Sequence, residues 1–125
     1  LDAAGITYPS SHGDHEMMTL DGESLLSLIC GRNWKREQPI YWEHEGNSAI
    51  RFDNMKLVRL HGQPWELYDM DVDRTELNDL ATTNTPLEKK LKAEYGGWEK
   101  SCGVEDWSII EERFLKAFNM KSIHG

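Results

Sequence analysis

From Pro39 onward, short runs rich in aromatic and branched apolar residues are separated by short turn-forming segments. Runs of this length and composition, bounded by turns, predict short β-strands. The predicted strands are residues 40–42 running on through 43–45, residues 48–52, residues 55–60 and residues 65–69. The connections at Gly46-Asn47, Asp53-Asn54 and residues 61–63 are tight, which predicts a sequential antiparallel meander.

The apolar period changes to that of a helix near residue 85. Thr85 can cap a helix there, Pro86 suits its first position and Glu88 can reach back to the cap. The residues that then fall on one helical face are Leu87, Leu91, Trp98 and Cys102, with Tyr95 beside them. This face predicts a helix packed on the sheet, despite the helix-weakening pair Gly96-Gly97.

Two further helical segments are predicted around this one. Asp73 and Glu76 have the spacing of a capping box, which predicts a short helical turn ending near Leu80. Residues 104–125 carry large apolar side chains at helix-like intervals and predict another helix. The fold class is therefore α+β: a small four-stranded antiparallel sheet with a packed C-terminal helix, plus an N-terminal extension.

The N-terminal extension is expected to span residues 1–37, and the sheet with its helices residues 38–125. Residues 1–6 look like the last turn of a helix ended by Gly5, which suggests that the chain is a fragment. Residues 7–20 show no periodicity and predict a loop. Asp21 is then expected to cap a short helix over residues 22–30, with Gly31 as its stop.

Composition narrows the classes of function. The 125 residues carry a formal net charge of -8, which disfavours nucleic acid because phosphate binding depends on Lys and Arg. No apolar run approaches the roughly 18 residues of a membrane span. Cys30 and Cys102 permit one disulfide, although two small buried thiols are the favoured interpretation.

The order of motifs along the chain resembles the C-terminal part of sulfatases. The matching segments are residues 1–6 (Leu-Asp-Ala-Ala-Gly-Ile), 21–26 (Asp-Gly-Glu-Ser-Leu-Leu), 42–51 (Trp-Glu-His-Glu-Gly-Asn-Ser-Ala-Ile-Arg), 55–58 (Met-Lys-Leu-Val), 64–69 (Pro-Trp-Glu-Leu-Tyr-Asp) and 73–81 (Asp-Arg-Thr-Glu-Leu-Asn-Asp-Leu-Ala). Met55 stands where the family usually has Trp. The resemblance covers residues 1 to about 107, and its strength lies in the order of the segments.

The sulfatase resemblance implies a larger, two-domain enzyme of the alkaline-phosphatase-like superfamily. Its catalytic domain carries a formylglycine nucleophile and usually a calcium ion, and its C-terminal domain is an antiparallel sheet with a helix. The implied partners are that catalytic domain, missing here, and a sulfated small molecule or carbohydrate. A periplasmic or secreted location is suggested by the resemblance alone.

The chain lacks the family's nucleophile motif, Cys/Ser-x-Pro-x-Arg. Its four prolines are preceded at that spacing by Thr7, Glu37, Gly62 and Asn84. The metal-binding aspartates of the family also lie outside the matching segment. We therefore expect no catalytic residue, no cofactor of its own and no hydrolysis of an aryl sulfate by this chain alone.

The end of the first predicted strand supplies the candidate substrate-proximal residues His44, Glu43, Glu45 and Asn47. Histidine titrates near neutrality, so at a strand end His44 can hold a sulfate oxygen or the leaving group. Alternation along the strand places Glu43 and Glu45 on one face. Two such carboxylates could act as a glycosidase-like acid and base, but a solvated surface is the favoured interpretation. His44 shares its face with Ile40 and Trp42, which favours a core or rim histidine.

Other candidate sites have stronger structural explanations. Residues 12–16 concentrate possible metal ligands, but a solvated polar loop is favoured because the spacing matches no zinc template. Ser24 with His44 or His61 could pair nucleophile and base, although a residue in a first helical turn is favoured. The aromatic residues are more typical of a core than of a sugar-stacking surface: Trp42, Trp65, Tyr68, Trp98 and Trp107.

Three functions follow from these observations. The first is the C-terminal subdomain of an arylsulfatase-like sulfuric ester hydrolase, which supports the catalytic domain and lines the substrate entrance. The second is a free-standing carbohydrate- or protein-binding module, and the third is a structural dimerisation piece. A sheet face meant for a missing domain would also make the isolated chain self-associate.

Overall fold

The computed structural model describes residues 1–118, which belong to two compact units, Leu1–Glu37 and Gln38–Gly125. That the first unit derives from the end of a catalytic domain stays a prediction.

The first unit begins with a 3-10 turn over Asp2–Ala4. Gly5 ends it in the left-handed conformation, with φ of 66°, and its N–H donates to the Asp2 carbonyl at 2.9 Å. Residues 7–20 are not entirely loop, because Ser11–His12 (β1) and His15–Glu16 (β2) pair as a small antiparallel hairpin. The prediction missed this hairpin because such short exposed strands carry no alternation of apolar residues.

The helix predicted over residues 22–30 is shorter than expected. Only Leu26–Ile29 (α1) is helical, with Leu25 as its N-cap, so Asp21 does not cap it. The hydroxyl of Ser24 instead accepts a hydrogen bond from the Leu26 N–H at 3.2 Å, which explains the late start. Gly31 has a φ of 70° just after the helix, consistent with its predicted role as a stop.

The second unit contains the predicted meander. Its strands are Ile40–His44 (β3), Asn47–Phe52 (β4), Met55–Arg59 (β5) and Glu66–Asp69 (β6), in the order β3-β4-β5-β6. All neighbouring pairs are antiparallel, with Tyr41 opposite Ile50 and Ile50 opposite Leu57. The prediction of an α+β fold built on a four-stranded antiparallel sheet is confirmed.

One face of this sheet forms the core with a long helix, Thr85–Cys102 (α2). Ile50, Leu57 and Leu67 are completely buried on that face and pack against Leu91 and Tyr95 of the helix. Complete burial of such a side chain stabilises a fold by roughly 1.5–3 kcal/mol. The predicted apolar face of the helix is thus confirmed, except for Cys102, which is exposed. Cys30 is exposed as well, so the prediction of two buried thiols is wrong.

The start of α2 differs from the prediction by one residue. Asn84, not Thr85, is the N-cap, and no side chain caps the helix. The Thr85 hydroxyl donates instead to the carbonyls of Ala81 and Thr82, at 3.4 and 3.3 Å. Gly103 ends the helix in the left-handed conformation, with φ of 66°.

The short helix predicted from the capping-box spacing of Asp73 is absent from the described residues. The Asp73 carboxylate accepts hydrogen bonds from the N–H groups of Leu77, at 2.9 Å, and Asn78, at 2.8 Å. Glu76 lies in the left-handed region, with φ of 58°, and pairs with Lys56 at 2.6 Å. The carboxylates therefore organise a loop packed beside the sheet.

A last helix, Trp107–Phe118 (α3), confirms part of the helix predicted over residues 104–125. The remainder of that prediction, residues 119–125, lies outside the described residues. No helix within the described part of the chain is long and apolar enough to cross a membrane.

Candidate functional site

The candidate residues lie around the tight turn between β3 and β4. Glu45 and Gly46 form this turn with φ of 53° and 80°, and His44 is paired with Asn47 across it. Two successive positive φ angles match the right-handed twist of a hairpin. The turn therefore lies one residue earlier than predicted, and Asn47 begins the next strand.

Two of the four candidate side chains stabilise the turn itself. A carboxylate oxygen of Glu43 accepts a hydrogen bond from the Gly46 N–H at 2.8 Å. The Asn47 amide donates to the His44 carbonyl at 2.8 Å, and its oxygen accepts from the His61 N–H at 3.1 Å. Asn47 thus ties the turn to the segment that follows β5, a role that local spacing does not reveal.

The other two candidates are exposed. His44 is solvent-accessible at the end of β3, so of the two predicted positions, core or rim, the core position is wrong and the rim position fits. Glu43 lies on the helix-covered face of the sheet, in register with Ser48, whereas His44 and Asn47 lie on the opposite, open face.

Glu45 lies in the turn and not in the strand, so Glu43 and Glu45 do not share a strand face as expected. All four residues meet at one turn, but their contact with a substrate stays a prediction.

A pocket of about 180 Å³ opens beside this turn, on the helix-covered side of the sheet. Its walls are formed by Glu43, Gly46, Ser48, Arg59, His61, Gly62, Glu99, Val104, Glu105, Asp106 and Trp107. Among the polar groups of this pocket, the sequence indicated Glu43 as substrate-proximal and His61 only as a disfavoured partner of Ser24. The rest come from segments far apart in sequence, and no local pattern connects them.

Among the described residues, Arg59 is the one arginine that lines this pocket. Its guanidinium donates to the Ser48 hydroxyl at 3.1 Å and lies 4.7 Å from the centre of the Trp65 ring. Its Nε atom is buried and has no hydrogen-bond partner within the described part of the chain. A buried donor of this kind has an unused capacity to bind an acceptor oxygen.

Carboxylates dominate the electrostatics around Arg59. Hydrogen bonds from Ser108 hold the pKa of Asp106 below its usual value, with His61 and Arg59 contributing, so this group is anionic near neutrality. Desolvation raises the pKa of the Tyr95 phenol, and Glu99 and Glu43 raise it further. Four carboxylates and one guanidinium line the pocket, a balance of charge that disfavours a sulfate anion there.

The remaining candidate sites have structural explanations. His12 and His15 face each other across the β1–β2 hairpin and are exposed. Ser24 donates its hydroxyl hydrogen to the Asp2 carboxylate. Within residues 1–118 no group of three or more His, Cys, Asp or Glu side chains is placed to hold a metal ion.

The aromatic residues divide between core and surface. Trp65, Tyr68 and Trp98 pack in or against the folded unit, and the ring of Trp98 stacks on Tyr41 with centres 5.0 Å apart. Trp42 differs, because 47% of its surface is exposed. A core role therefore accounts for most of the aromatic set but not for Trp42.

Comparison with known proteins gives a limited match. No family profile and no curated protein matches the sequence. Among solved structures, Ps i-CgsB is similar over 63% of this chain, with 28% sequence identity and a TM-score of 0.54. Its complex with k-i-k-neocarrahexaose gives the same values. The chain matches only 19% of the length of Ps i-CgsB.

Proposed function

We propose that this chain is the C-terminal part of an arylsulfatase-like sulfuric ester hydrolase whose substrate is a sulfated carbohydrate. The observation that carries the proposal is the ordered series of sulfatase-like segments on a meander that is similar to part of Ps i-CgsB. The oligosaccharide bound to that protein supports a carbohydrate as the substrate class.

The sulfatase-like segments coincide with elements of the fold. Residues 42–51 include most of the β3–β4 hairpin, residues 55–58 lie in β5 and residues 64–69 include β6. Residues 73–81 form the loop that the Asp73 carboxylate organises. The resemblance therefore follows the whole path of the sheet rather than one isolated motif.

The proposed role of the chain is to support catalysis, not to perform it. The nucleophile and the metal-binding aspartates would come from a catalytic domain, with formylglycine and calcium supplied there. In the assembled enzyme, His44, Glu43, Glu45 and Asn47 line the substrate entrance. His44 is exposed at the end of β3. The backbone around it is held in place by its pairing with Asn47 and by the hydrogen bond that Glu43 accepts from Gly46.

Replacing His44 in the full-length enzyme tests this role. For His44→Ala we expect kcat/KM to fall at least about tenfold, roughly 1.4 kcal/mol of transition-state binding, with little change in the melting temperature. His15→Ala removes another exposed histidine and serves as the matched control. A drop in melting temperature with normal kinetics of the folded enzyme would make His44 structural.

The isolated chain provides a second test of the division of labour. It should not hydrolyse an aryl sulfate above the buffer rate, whereas the full-length enzyme should. Turnover that copurifies with the isolated chain and survives a control for contaminating sulfatase would contradict the proposal.

A further inference from the structure

The open face of the sheet, opposite α2, carries a groove of about 410 Å³. Trp42, Ala49, Arg51, Lys56 and Met70 line it. Strand register explains its position, because Trp42 is paired with Ala49 and both point away from the face that Ile50 and Leu57 bury against the helix. The groove is therefore a feature of the sheet itself.

Trp42 forms an apolar wall of this groove. Its cross-strand partner is Ala49, whose single methyl group leaves much of the indole uncovered, and 47% of the tryptophan surface is exposed. The π face of an indole attracts the polarised C–H bonds of a flat apolar surface such as one side of a sugar ring. An exposed, backbone-anchored tryptophan is thus suited to stacking on a saccharide.

Two cations lie opposite each other beside this wall. Arg51 pairs with Lys56 in the β4–β5 register, and like charges placed directly opposite destabilise a sheet. Lys56 is offset by Glu76, with the two atoms 2.6 Å apart. Arg51 donates only to the main-chain oxygen of Asp53, at 3.5 Å, and forms no ion pair with a carboxylate within residues 1–118.

The positive charge of Arg51 is therefore available to a ligand, although the chain as a whole is acidic. Glu66, which also lies on this face, accepts a hydrogen bond from the Tyr68 hydroxyl at 3.0 Å. An exposed aromatic ring beside an unpaired guanidinium complements a ligand that has both a sugar ring and an anionic group. Long polyphosphates are disfavoured by the net charge of -8.

We infer that the open-face groove is a binding site for an anionic saccharide. A sugar ring stacks on Trp42, and a sulfate or carboxylate substituent binds Arg51. This site adds to the proposed function without resting on it, because binding requires neither the nucleophile nor the catalytic domain.

Isothermal titration calorimetry on the 125-residue chain tests this site. We expect saturable binding of a dextran sulfate oligosaccharide, no binding of the unsulfated dextran oligosaccharide, and weaker binding at high salt. An oligogalacturonate in the same assay distinguishes the anion: equal binding supports carboxylate as well as sulfate, and weaker binding supports sulfate. No saturable binding of either anionic saccharide below about 10 mM would overturn the inference.

Two variants of the groove and two matched controls locate the binding. Trp42→Ala and Arg51→Gln should each weaken the dextran sulfate complex about tenfold. Phe114→Ala removes an aromatic ring of similar exposure, 53%, and Arg113→Gln removes a surface charge elsewhere, so neither should change affinity. If the groove variants and the controls lose affinity equally, the binding depends on overall surface properties rather than on the groove, which would contradict the proposed site.

Sedimentation distinguishes a saccharide from a protein on the same face. If Trp42→Ala abolishes self-association of the chain and dextran sulfate does not compete with it, the groove is a protein interface and the inference fails. Competition by the saccharide, or a monomer that binds it, supports the inference.

Discussion

Gly46 lies where the β3–β4 turn approaches the segment after β5, and substitution there tests the geometry of the candidate site. Its φ of 80° lies in the left-handed region. A Cβ atom at this position would lie 2.4 Å from Nδ1 of His61, 2.9 Å from its Cγ and 3.0 Å from the Cβ of Trp107. Gly46→Ala therefore combines a backbone cost with a steric one.

The two contributions can be separated because Gly62 offers a matched control. Gly62 has a similar φ of 73°, but nothing lies within 4 Å of its added Cβ. Gly62→Ala should therefore lose only the left-handed term, about 1–2 kcal/mol of unfolding free energy. Gly46→Ala should lose that amount plus roughly 1–3 kcal/mol from overpacking against the imidazole.

Urea unfolding of both variants measures this difference. Adding His61→Ala to Gly46→Ala should restore most of the steric part, because it removes the two closest atoms. If the Gly46→Ala variant is as stable as the Gly62→Ala variant, then the turn is not in close steric contact with His61. That result would refute the close approach of Gly46 to His61 at the edge of the pocket.

Three further substitutions test other parts of the fold. Leu57→Ala should lower the unfolding free energy by about 2–5 kcal/mol in urea, because Leu57 is completely buried; an unchanged midpoint would contradict the core. Hydrogen bonds from Asn78 and Leu77 lower the pKa of Asp73, so its contribution to stability is present above the unfolded value and lost as pH falls through the folded pKa. Asp73→Asn should therefore weaken the acid dependence of thermal melting, and an unchanged acid limb would refute this. Burial and the Glu66 hydrogen bond raise the pKa of Tyr68 from 10.0 to about 12, so stability should fall as pH rises through that interval. Tyr68→Phe should flatten this alkaline limb, and a limb as steep as that of the unmodified chain would count against it.

The sheet was predictable because its signal is local. Successive residues of a strand point to opposite faces, and short connections leave a meander as the economical topology. The turn position was less predictable, because Glu45 is not a residue type that favours positive φ. Cross-strand pairing of His44 with Asn47 fixes the turn at Glu45 and Gly46 instead.

Tertiary contacts explain why the helix predicted at Asp73 does not form. The Asp-x-x-Glu spacing fits a capping box, but in the structure Glu76 pairs with Lys56 of β5. The Asp73 carboxylate then accepts from main-chain N–H groups further along the loop. Propensity alone cannot anticipate a partner twenty residues away.

The candidate site was predictable only where it is local. Glu43, His44, Glu45 and Asn47 are neighbours in sequence and remain neighbours around the turn. The Arg59 pocket and the Trp42 groove combine residues from separate strands, helices and loops. Their grouping depends on register and packing, which the sequence pattern does not specify.

The sequential strand order also has a kinetic consequence. The β3–β4 and β4–β5 connections contain two residues each, Glu45-Gly46 and Asp53-Asn54, so little chain entropy is lost when these hairpins close. Docking of Leu91 and Tyr95 onto Ile50 and Leu57 instead requires closure of a long intervening segment. We therefore expect the hairpins to form early and the docking of α2 to limit the folding rate of this unit.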